Sequence, residues 1–89
     1  MNNFIKLIPI SHDFTAQFFF HKTNAQNGLR YYISVIGKDN HSHVFVMEHL
    51  GESWQIVLLL RVPEWIRAVE KELSNAIIEH TLGRDSISS

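Results

Sequence analysis

In four runs between Phe14 and Leu60 apolar residues recur at every second position, and after Pro63 they recur at every third or fourth. A side-chain period of two belongs to strands and a period near 3.6 to helices, so the chain changes from sheet to helix at the proline. Phe14, Ala16, Phe18 and Phe20 share one face of the first run, with Thr15, Gln17, Phe19 and His21 on the other. The polar stretch Thr23 to Gly28 ends in Asn-Gly, a pair that tolerates positive φ and suits a hairpin. In the second run, Leu29, Tyr31, Ile33 and Val35 alternate with Arg30, Tyr32, Ser34, Ile36 and Lys38. The adjacent tyrosines must therefore point in opposite directions, and only Tyr32 shares a face with Arg30 and Phe19.

Two further runs, His43 to His49 and Trp54 to Leu60, are apolar on both faces, a pattern of strands covered on both sides. A short strand over Phe4 to Ile8 is weakened by Pro9, which has no N–H to donate to a ladder. Beyond Pro63, placed as the first helical residue, Ile66, Val69, Leu73, Ala76 and Ile77 form one stripe, opposite Arg67, Glu70, Lys71, Ser74 and Glu79. Gly83 reads as the helix stop and residues 84–89 as a polar tail. The expected fold is α+β: a four-stranded antiparallel meander followed by one long C-terminal helix on one sheet face, ββββα, in a single domain spanning 1–89 with its core at 14–82. One helix covers one face. The other face was expected to carry Phe19, Tyr32, Ile36, Phe45, Met47, Val57 and Leu59, more apolar surface than a monomer leaves bare.

Eight basic residues against nine acidic give a net charge of −1, which argues against strong non-specific duplex binding. With no cysteine, disulfides and thiolate metal sites are excluded. The longest apolar run, Ile56 to Leu60, is far shorter than the ~20 residues of a membrane helix, so the reading is a cytoplasmic protein without a membrane partner. His41-Ser42-His43 places two imidazoles at i and i+2, but a metal site needs further ligands, and none is assigned. Ser11-His12-Asp13 has the residue types of a hydrolase triad, yet neighbours in sequence cannot adopt its geometry. Neither an enzyme nor a cofactor is expected.

Phe18-Phe19-Phe20-His21-Lys22, the polar loop, and Leu29-Arg30-Tyr31-Tyr32-Ile33-Ser34-Val35-Ile36 resemble the first hairpin of the small bacterial Pur-alpha-like proteins, relatives of the Whirly fold. Val57-Leu58-Leu59-Leu60-Arg61 followed by Pro63-Glu64-Trp65-Ile66 resembles their last strand and helix entry. The resemblance implies a homodimer that binds single-stranded DNA or RNA on the outer sheet face. Phe19 and Tyr32 would stack on bases, and Lys22, Arg30 and Lys38 would meet phosphates. The chain departs from the family in its low basic content. The same face also suits a dimerisation or protein-interaction module without nucleic acid, since an interface wants the same aromatic residues.

Overall fold

The computed structural model describes residues 3–25, 28–57 and 61–88, with the side chains of 24, 25, 28, 29 and 82–88 outside the description. Five strands, β1 (Phe4–Ser11), β2 (Phe14–Ala25), β3 (Gly28–Ile36), β4 (Ser42–Leu50) and β5 (Ser53–Ile56), form one antiparallel sheet in the order β1-β2-β3-β4-β5. Two helices follow, α1 (Glu64–Arg67) and α2 (Glu70–Ser88). The α+β meander therefore has five strands rather than four. Pro9 fits because β1 is an edge strand, where a missing donor leaves no neighbour unpaired, and the register shifts between Pro9 and Ser11.

The helical region is two elements rather than one. Pro63 is the N-cap and Glu64 the first helical residue. After one turn the bonding tightens, Val69 N donating to Ile66 O at 3.1 Å, before Leu73 N to Val69 O resumes the α pattern at 2.9 Å. The step keeps Ile66, Val69, Leu73, Ala76 and Ile77 all turned onto the sheet. Gly83 does not stop α2, which runs on to Ser88 through residues expected to be a tail. A glycine inside a helix costs about 1 kcal/mol relative to alanine, and no proline follows to force an end.

Under the helices lie Ile8, Ala16, Phe18, Phe20, Tyr31, Ile33, Val35, Phe45, Met47, Trp54 and Ile56. Phe45 and Met47 thus belong to the core and not to the outer face, because Phe45 pairs with Ile33 and Met47 with Tyr31, both buried. Leu58, Leu59 and Leu60, expected in the last strand, lie outside the described residues, and β5 is described only to Ile56.

The helix crosses the sheet diagonally. Near β5, the Trp54 N–H donates to Ser74 Oγ at 2.9 Å and the Ile56 N–H to Glu70 Oε2 at 2.7 Å. Near β1, Lys6 Nζ lies 3.9 Å from Glu79 Oε1 and Phe4 stacks on His80 with centroids 4.1 Å apart. Ser74 and Glu70, one turn apart, occupy two edge N–H groups of β5 that no further strand takes. A helix covers that edge of the sheet. Ser74→Ala, which leaves the Trp54 N–H buried without its acceptor, is expected to destabilise the fold by about 1–3 kcal/mol. Urea unfolding and faster amide exchange at Trp54 measure it. An unchanged midpoint would mean that Ser74 contributes nothing here.

Candidate functional site

The sheet face turned away from the helices is the candidate interface. Register alone assigns its rows. Ile5 pairs with Phe19, Phe19 with Ser34 and Ser34 with Val44. His21 pairs with Tyr32 and Tyr32 with Val46, whose carbonyl accepts the Val57 N–H at 2.8 Å. Thr23 pairs with Arg30, Arg30 with Glu48 and Glu48 with Gln55. Leu7 pairs with Gln17, and Ile36 with Ser42.

Several of these side chains stand in solvent: Leu7 is 60% exposed, Val44 59%, Ile36 55%, Ile5 53% and Tyr32 44%. Phe19, Val46 and Val57 are half-buried. Ile5, Leu7, Ile36 and Val44 gather toward one end of the face, and the charged row stands at the other together with Leu50, 51% exposed. Ser34, at the middle of the central strand, is a small residue surrounded by Phe19, Val44, Tyr32 and Ile36.

Among the residues expected to bind nucleic acid, the structure brings Phe19, Arg30 and Tyr32 to this face. Phe19 and Tyr32 are diagonal neighbours across β2 and β3. The cations behave differently. The Arg30 guanidinium meets Glu48 Oε2 at 2.6 Å, cancelling its charge on the face. Lys22 pairs with the buried Tyr31 and so lies on the helix-covered side. Lys38 sits in the β3–β4 turn, its Nζ 2.8 Å from Asp13 Oδ2. Among the described residues, Arg30 is the one lysine or arginine on the open face, and it is spoken for.

The β3–β4 turn has its own structure. Gly37 N donates to His41 O at 2.8 Å and Asn40 N to Gly37 O at 2.9 Å, with Asn40 in the left-handed region at φ 68°. Asparagine tolerates that conformation better than most residues. A Cβ on Gly37 would come within 3.1 Å of the Trp65 ring and 3.0 Å of Asp39 Oδ1, so glycine lets the indole lie across the turn. Asp39 accepts from the His41 backbone N–H at 3.2 Å and faces His41 Nδ1 at 2.8 Å. His43 instead packs edge-on against Trp65, centroids 5.8 Å apart. The two histidines are thereby separated, and no group of three or more potential metal ligands occurs among the described residues.

Hydrogen bonds from Lys38 and Ser11 hold the Asp13 carboxyl below its ordinary pKa, and those from His41 do the same for Asp39. A depressed carboxyl contributes stability that is complete above its unfolded pKa and lost as pH falls through the folded one. Lys38→Met is therefore expected to return Asp13 toward the ordinary carboxylate range and to weaken the acid dependence of stability. A side-chain carboxyl NMR titration reads this directly. An Asp13 curve unmoved by the substitution would show that Lys38 is not the cause.

No family model, curated protein or solved structure matches the chain. The geometry alone must carry the reading. Among the described residues, no helix is long and apolar enough to cross a membrane.

Proposed function

We propose that the chain is a self-association module whose open sheet face packs against the same face of a second copy. The observation that carries this reading is the coincidence of exposed Ile5, Leu7, Ile36 and Val44 with a cationic group already neutralised by Glu48. Five strands spaced ~4.8 Å apart and averaging ~27 Å in length present a face of roughly 600 Å². That is close to the ~800 Å² each partner buries in a standard interface. A two-fold interface must be complementary to itself. Small Ser34, cross-strand to Phe19 and Val44 and flanked on its own strand by Tyr32 and Ile36, leaves room for the larger side chains of a second copy to pack. A net charge of −1 opposes the approach of two copies only weakly. A cytoplasmic setting belongs to the same reading, since a chain without cysteine needs no oxidising compartment to fold.

Sedimentation across a wide concentration range tests it. A dimer with Ile5, Val44 and Tyr32 protected from solvent in the associated form supports the reading, and a monomer at every concentration overturns it.

A second reading is the one the Pur-alpha-like resemblance implies: single-stranded nucleic acid on the same face. Supporting it, Tyr32 is exposed beside Phe19 and His21, and base stacking on an aromatic ring is worth ~1–3 kcal/mol per base. It requires Arg30 to leave Glu48 for a phosphate. Titration of a labelled single-stranded oligonucleotide at low and moderate salt separates the two. Salt-sensitive binding lost in Tyr32→Ala favours nucleic acid, and no binding at low salt removes it.

A further inference from the structure

At the end of the sheet where β1 meets β2, a cavity of about 300 Å³ opens between the sheet and α1. Ile10, Ser11, Phe14, Lys38, Asp39 and Trp65 line it. It lies on the helix-covered side, away from the open face. The apolar wall is Ile10, Phe14 and Trp65, all half-buried. Phe14 and Trp65 meet edge to face, centroids 6.3 Å apart at 75°, a favoured geometry for an aromatic pair that fixes the wall's shape. Gly37 holds this wall open at its back, since the indole rests where a Cβ would stand.

The mouth carries both signs of charge. Lys38 uses one donor on Asp13 at 2.8 Å, and an ammonium has three. Asp39 holds its two contacts with His41, and a carboxylate has lone pairs for about four. A simple anion entering here would meet Asp13 and Asp39 as well as Lys38. A simple cation would meet Lys38. A ligand carrying a carboxylate and an ammonium on the same carbon satisfies both neighbours.

We propose that this cavity binds a free α-amino acid with a large apolar side chain. The side chain enters between Ile10, Phe14 and Trp65, the carboxylate takes the open donors of Lys38, and the ammonium faces Asp39. The volume stands at the small end of ligand sites, room for one such molecule and not for a nucleotide cofactor. The charged groups at the mouth are largely in solvent, Lys38 65% and Asp39 64% exposed, so affinity in the millimolar range is expected.

The experiment is an NMR titration of the full chain with phenylalanine, followed at the indole N–H of Trp65, with buried Trp54 as the internal reference. Phenylalaninamide, which lacks the carboxylate, and N-acetylphenylalanine, which lacks the ammonium, are the other two arms. The expected result is a saturable shift of Trp65 with phenylalanine, about two- to fivefold weaker binding of either blocked form, and an unmoved Trp54. Lys38→Met, a change at an exposed position, is expected to abolish the preference for phenylalanine over its amide while leaving the preference over the N-acetyl form. Three results would each overturn the proposal: an unmoved Trp65, equal responses to all three compounds, or a Lys38→Met protein that still prefers phenylalanine to the amide. None of these readouts depends on whether the open face dimerises.

Discussion

Val44→Arg is expected to leave a folded protein that stays monomeric at concentrations where the proposed dimer of the parent chain would form. Val44 is 59% exposed in the monomer, so an arginine there displaces no core atom and the unfolding of the single chain should change by no more than about 0.5 kcal/mol. In a two-fold interface each substitution acts twice. Two guanidinium groups would be brought into an apolar contact where no carboxylate waits for them, since Glu48 is already taken by Arg30. Like-charge juxtaposition of this kind costs several kcal/mol, more than a hundredfold in association. Sedimentation of the variant beside the parent gives the answer, and an undiminished dimer would place the interface elsewhere on the chain.

Phe18→Ala is expected to lose about 3–5 kcal/mol of stability, a large share of what a small domain has. Phe18 has no exposed surface and meets Phe45 and Trp65, each with centroids 6.4 Å away. Small domains have thin cores, and a total stability of ~5–15 kcal/mol leaves little margin for such a cavity. Phe19→Ala, one residue along, removes the same ring from the opposite face and should cost the monomer far less. Urea midpoints for the pair test the assignment of faces. Equal losses would mean that the alternation through β2 is not what separates core from surface.

Alternation made β2 and β3 readable because a polar residue marks one face of each: Gln17 and His21 beside Phe19, Arg30 and Ser34 beside Tyr32. The division of Tyr31 from Tyr32 follows directly, one buried and one exposed. β4 was harder. Val44 and Val46 on one side and Phe45 and Met47 on the other are all apolar, so period two names two faces without saying which is inner. Glu48 held the missing signal, since it shares parity with Val44 and Val46 and a carboxylate seeks solvent or a cation. Pro9, with no N–H to donate, hides the N-terminal strand in the sequence, whereas an edge position accommodates it. Thr23 to Ala25 looked like loop from composition, yet β2 continues through Ala25 paired with Gly28. Tertiary pairing overrides a weak local preference there. The lysines assigned to phosphates were the least legible part: Lys22 already shares parity with Phe18 and Phe20, which alternation alone places beneath the helix.

The two margins of the sheet are not equivalent. Ser74 and Glu70 occupy the outward N–H groups of Trp54 and Ile56 at β5, while β1 ends the other side of the sheet. Strand-to-strand addition at β5 would have to displace Ser74 and Glu70 from those two groups. Endless polymerisation through hydrogen-bonded margins requires two live ends, and among the described residues α2 closes the one at β5.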